Sequence, residues 1–157
     1  MLDILKTFLN GLSGSAETAP ADRPDDPRLA AAALLVHAVR VDGAVDPHEK
    51  AVIERILAAR FELGAAAVAD LIDHASAVER EAVDLYRFTS LLKRRLDAEG
   101  RLATVEMLWE AVLADGNLHE FEDNVVWRIA ELLDVGTRDR VLARKKVEAR
   151  LGGAESD

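Results

Sequence analysis

Two stretches of this chain, "LLVHAVRVDGAVDPHEKAVIERIL" from Leu34 to Leu57 and "MLWEAVLADGNLHEFEDNVVWRIA" from Met107 to Ala130, align without a gap. In each, an apolar run at helical spacing stops at an Asp-Gly step, Asp42-Gly43 or Asp115-Gly116, and resumes a few residues later. Val45 matches Leu118, Glu49 matches Glu122, and Arg55-Ile56 matches Arg128-Ile129. Glycine after a helix takes the left-handed conformation without steric cost, which ends the helix and lets the chain reverse. The aliphatic residue two positions later then drops back into the core and sets the angle of the turn. One helix–elbow–helix unit cannot bury its own apolar stripe. Two of the same design predict a pair packed against each other in a pseudo-two-fold arrangement.

The local chemistry of the two elbows differs. Asp46-Pro47-His48-Glu49 reads as a capping box: Asp46 accepts from the exposed first-turn amides, Pro47 presets the first helical residue, and Glu49 reaches back to the cap amide. In the second copy His119 stands in place of Asp46, so the box is degraded, and Asn117 with Glu120 offers a cap two residues earlier.

Helical spacing continues around both units. Asp26-Pro27 is an N-cap followed by proline at the first helical position. "RLAAAALLVHAVRV" is apolar on nearly all sides, which predicts a central, buried helix. Further helices are predicted from Pro47 to about Glu62, ending at Leu63-Gly64, and near Ala65–Ala77, Glu81–Leu96, Ala98–Ala114 and Glu120–Leu133. The last covers Arg138–Arg150 behind Thr137 as N-cap. Half of the residues are apolar but only 4% aromatic, so the core is built from Leu, Ala, Val and Ile, which suits close helix packing. No segment alternates with period two. The prediction is an all-α compact bundle of six to seven helices.

Four segments are expected. Residues 1–12 form an amphipathic N-terminal helix with Leu2, Leu5, Phe8, Leu9 and Leu12 on one face, and residues 13–26 a flexible linker rich in Gly, Ser, Ala, Pro and Asp. Residues 27–151 form the helical domain, and 152–157 a disordered tail. The N-terminal helix could fold back on the body, dock on a partner or make a peripheral membrane contact. The last is disfavoured because Lys6 is its only base. No apolar run approaches the ~20 residues of a membrane span, and no secretory signal is legible, so a cytoplasmic location is expected.

The segments "VDGAVDPHE" and "ADGNLHEFE", with "DLYRFTSLL" between them and "WRIAELLDV" after, resemble the tellurite-resistance TerB-like family, in its uncharacterised TerB-like branch. The resemblance covers about Arg28 to Arg150. Its doubled ADG-x-[LV]-x(3)-E pattern is met in full by the second copy, whereas the first has Val41 where alanine is usual. The resemblance implies a compact bundle with two acidic helix–turn–helix elements, and links to tellurite and metal-ion stress.

Asp, Glu and His are ligands for divalent cations. If the elbows meet, Asp42, Asp46, Glu49, Asp115, His119 and Glu122 are the candidate set for such an ion. The competing reading gives each a structural job at a helix end, where first-turn acids are favoured by the helix dipole. The spacing is not that of an EF-hand. His37 aligns with Glu110 and reads as a core or boundary residue, with a place in a pocket between the copies as the alternative. His48 and His74 are expected to be exposed, and Trp109, Trp127, Tyr86 and Phe88 to lie in the core.

A net charge of −9 argues against a phosphate-backbone ligand, so no nucleic acid is expected. The charge is uneven. Val105 to Val135 holds eight acids and one base, whereas Thr137 to Arg150 holds six bases and two acids. Internal pairing of the two is expected, with a partner or an anionic surface as the alternative. With no cysteine, thiol chemistry and thiolate metal sites are excluded. No phosphate loop, G-x-S-x-G or HExxH is present. The expectation is a non-enzymatic binding module with a protein partner, its acidic elbows serving as the recognition surface. A divalent-metal-binding protein is the alternative, and a hydrolase with a carboxylate-held metal a distant third.

Overall fold

A computed structural model describes residues 26–40, 45–82, 85–114 and 120–155, with side chains as far as residue 152. The described residues form seven helices and no strand: α1 (Pro27–Val39), α2 (Pro47–Phe61), α3 (Ala65–Glu81), α4 (Tyr86–Arg95), α5 (Ala98–Leu113), α6 (Glu120–Leu132) and α7 (Thr137–Glu155). The N-terminal helix and most of the linker expected before Asp26 lie outside the described residues.

α1 is the axis of the bundle. Every residue of it except His37 is buried, and it touches α2, α3, α4, α5 and α6. The sequence dictates this position. Ala30, Ala31, Ala32 and Ala33 present almost no side-chain bulk, so neighbouring helices approach closely, and Leu34, Leu35 and Val36 fill the space further along. Asp26 starts the helix as expected, its carboxylate accepting from Arg28 N at 2.8 Å, with Pro27 behind it.

The duplication is visible in the packing. Leu34, Leu35, Val36, Ala38 and Val39 of α1 are buried, and so are their counterparts Met107, Leu108, Trp109, Ala111 and Val112 of α5. Ile53, Ile56 and Leu57 of α2 correspond to the buried Val126, Ile129 and Ala130 of α6. α2 and α6 start at aligned positions, Pro47 and Glu120. The two units pack directly: α1 lies on α5 and α6, and α2 on α5.

The second helices of both units also end alike. Leu63 N donates to Ala58 O at 3.2 Å and Val135 N to Ala130 O at 2.9 Å, with the intervening Glu62 (φ 53°) and Asp134 (φ 59°) in the left-handed region. These are Schellman ends. The left-handed position therefore falls on Glu62, two residues before the glycine expected to stop the helix, and Gly64 instead opens α3.

Several boundaries move. α3 runs to Glu81, beyond Ala77, and α4 starts only at Tyr86. Thr137 is the first residue of α7 and not its cap, since Arg140 N donates to Gly136 O. α7 continues to Glu155, past the expected end at Arg150. Tyr86, expected in the core, is 66% exposed, because it occupies the first turn of α4, whereas Phe88 packs inside. Trp109 is fully buried, but Trp127 is half-buried, with its ring nitrogen donating to Asp123 Oδ1 at 3.1 Å.

Candidate functional site

Of the six candidate ligands, Asp42, Asp115 and His119 lie outside the described residues. The other three have definite places. Asp46 Oδ1 accepts from Glu49 N at 2.7 Å, and Glu49 Oε1 accepts from Asp46 N at 3.2 Å, so the predicted capping box is formed. Both carboxylates are thereby held at the start of α2, where the first-turn amides favour negative charge. Glu122, aligned with Glu49, sits in the first turn of α6 and is buried. No group of three or more His, Asp or Glu side chains among the described residues is placed to hold a metal ion.

The first elbow is flanked by a cleft of about 430 Å³ between α1, α2 and α3, bounded by Arg40 and Val45 on either side of the elbow. Val36, Ile53 and Ile72, all core residues, give it apolar walls. Lys50, Arg80, Asp73 and Ser76 contribute the polar part. Neither Lys50 nor Arg80 ion-pairs with another described residue, and both are exposed.

At the inner edge of this cleft lies Glu79, which sequence reasoning missed. Its carboxylate is 3% exposed, and Oε2 accepts from Arg40 Nη2 at 2.7 Å and from His37 Nδ1 at 3.2 Å. Among the described residues Oε1 has no hydrogen-bond partner, and it is buried. His37 is thus a boundary residue, as expected, but with a definite acidic partner on another helix. The residue was hidden because α3 was expected to end at Ala77. The signal available was the acid's position on the face of Val68, Ile72 and Ala75, continued one turn further.

A second charged cluster ties the last helix to the second unit. Glu106 of α5, 3% exposed, takes Lys146 Nζ of α7 at 3.3 Å and faces Arg60 Nη2 of α2 at 3.6 Å. Glu110, the counterpart of His37, pairs with Arg60 and with Arg150 Nη2 at 3.1 Å. Arg144 pairs with Asp123 of α6 at 3.2 Å. The basic last helix therefore pairs with the acidic body of its own chain, as the charge distribution predicts.

A family model described as tellurite resistance protein TerB matches residues 28–145. The chain belongs to the TerB family. The match takes in both elbows, the cleft, α1 from Arg28 onward and all of α2 to α6, together with the first half of α7. No curated protein and no solved structure matches the chain. No helix among the described residues of this TerB-family chain is long and apolar enough to cross a membrane.

Proposed function

We propose that this TerB-family chain is a non-enzymatic binding module in a tellurite or metal-ion stress response, and that it engages a protein partner at the cleft beside the first elbow. The observation that carries the reading is how the charged groups are used. Asp46, Glu49 and Glu79 are committed within the chain as caps and ion-pair acceptors, whereas Lys50 and Arg80, at the rim of an apolar-walled cleft, ion-pair with no other described residue. An apolar wall with a few polar groups at its rim is the usual form of a binding site. The complementary partner surface is an aliphatic side chain next to a carboxylate.

The reading is tested by affinity capture from the native cytoplasm with the full chain, the Lys50→Glu/Arg80→Glu chain and an Arg94→Glu control. A partner held by the wild type and the control but lost from the double variant supports the cleft. A partner retained by all three removes it.

A second reading is divalent-metal binding at the elbows through Asp42, Asp46, Glu49, Asp115, His119 and Glu122, resting on the ligand chemistry of those residue types. Calorimetric titration of Ca²⁺, Mg²⁺, Mn²⁺ and Zn²⁺ tests it. Micromolar binding that disappears in Asp42→Asn/Asp115→Asn, with helicity retained, would establish that reading in place of the first.

A further inference from the structure

α7 is held differently from the other helices. Among its described side chains only Ala143 and Val147 are fully buried, with Leu151 partly so, and Leu142 is 51% exposed. Ala143, Val147 and Leu151 recur at four-residue spacing, so they form one narrow stripe. Lys146 and Arg150 flank that stripe on one side, Arg140 and Arg144 on the other. All four bases are engaged by the second unit. Lys146 and Arg150 reach Glu106 and Glu110 of α5, and Arg144 reaches Asp123 of α6. The Arg144 guanidinium also stacks over Trp109 at 5.2 Å, and that of Arg140 over Trp127 at 5.0 Å.

The surface beneath α7 is thus an acidic strip of Glu106, Glu110 and Asp123 around two tryptophans. Arg60 of α2 also reaches this strip, facing Glu106 Oε1 at 3.6 Å and pairing with Glu110, and among the described residues Glu106 Oε1 and Trp109 Nε1 are buried without a hydrogen-bond partner. The connection to α7 is short and turns at Asp134, in the left-handed conformation, before Gly136, where nothing lies within 4 Å of the position a Cβ would take.

We propose that the α5–α6 face is a receptor groove for a basic amphipathic helix, that α7 occupies it as a ligand built into the chain, and that a basic helix of a partner protein displaces α7. Charge complementarity identifies the occupant: three carboxylates and two aromatic faces match a helix with an Ala/Val/Leu stripe edged by Arg and Lys. Because ion pairs edge the aliphatic stripe on both sides, salt weakens the attachment of α7 selectively. The surface is distinct from the α1–α3 cleft, so this inference does not depend on that reading.

The probe is a labelled peptide of residues 137–155 of this chain, added to full-length protein and followed by fluorescence anisotropy. The Lys146→Glu/Arg150→Glu chain, whose groove is intact but whose own α7 is weakened, is expected to bind the peptide at least tenfold more tightly than the wild type. Adding Glu110→Gln to that background should reverse the gain. Equal or weaker binding by the α7-weakened chain, with helicity retained, would overturn the proposal, as would dimerisation through exchanged α7 helices that leaves the peptide unbound. Hydrogen exchange on the wild type gives an independent reading. Between about 50 mM and about 500 mM salt, across which ionic screening tightens to a few ångströms, α7 amides should exchange severalfold faster while α1 amides do not change. Exchange of α1 and α7 at one common rate at both concentrations would sink it.

Discussion

The two acids that cap the start of α2 illustrate what a single residue can contribute. Asp46 and Glu49 satisfy two otherwise orphaned amides reciprocally, at 2.7 and 3.2 Å, on an exposed turn. Asp46→Ala should therefore cost about 1 kcal/mol of folding stability, measured by urea denaturation. The equivalent change at the degraded second elbow, His119→Ala, removes no predicted box and should cost less than half as much. Glu62 provides the opposite sign. It holds a φ of 53° at the end of α2, a conformation that only glycine adopts freely. Glu62→Gly should stabilise the chain by about 0.5–1 kcal/mol, seen as a higher denaturation midpoint at constant slope. These residue-level features were unevenly legible. The capping box could be read because its partners are three positions apart. The left-handed glutamate could not, because a nearby glycine is the better candidate until the Schellman hydrogen bond from Leu63 to Ala58 is seen.

At the level of elements, α7 and α1 are extremes. α1 is held by apolar contact on all sides, whereas α7 is docked through a narrow aliphatic stripe and a row of charge pairs. Exposed ion pairs contribute little, but Glu106 is buried, and removing its charge leaves Lys146 and Arg60 facing a neutral group. Glu106→Gln should destabilise by about 2–3 kcal/mol. Val147→Ala should cost about 2 kcal/mol through lost burial and the small void left behind. Differential scanning calorimetry at low and high salt separates the two, since only the charge substitution loses part of its effect when salt is added. The sequence announced this docking as an excess of acids followed by an excess of bases. It did not show which acid meets which base, because α5 and α7 are brought together only when the chain folds back after α6. Glu79 belongs to the same class: its partners His37 and Arg40 are about forty positions earlier in the chain.

For the whole molecule, the duplicated unit supplies the architecture. Five helices pack on α1, and the alanine run from Ala30 to Ala33 permits that convergence. Ala32, fully buried, has no room to grow. Ala32→Leu should lower stability by about 3 kcal/mol or abolish folding, whereas Ala66→Leu on the exposed side of α3 should stay within about 0.5 kcal/mol. Thermal unfolding followed by circular dichroism decides the comparison, and equal melting of the two variants would contradict α1 as the organising core. The all-helical class, the seven helices of the described residues, the central one among them and the two matching helix pairs were all determined by the amino-acid sequence, because helical periodicity and caps act within a turn or two of the chain. The cleft beside the first elbow, the partner of His37, the exposure of Tyr86 and the docking of α7 on α5 were decided only by tertiary structure. Each depends on contacts between segments whose separation along the chain carries no local signal, so burial and pairing there are properties of the packed bundle.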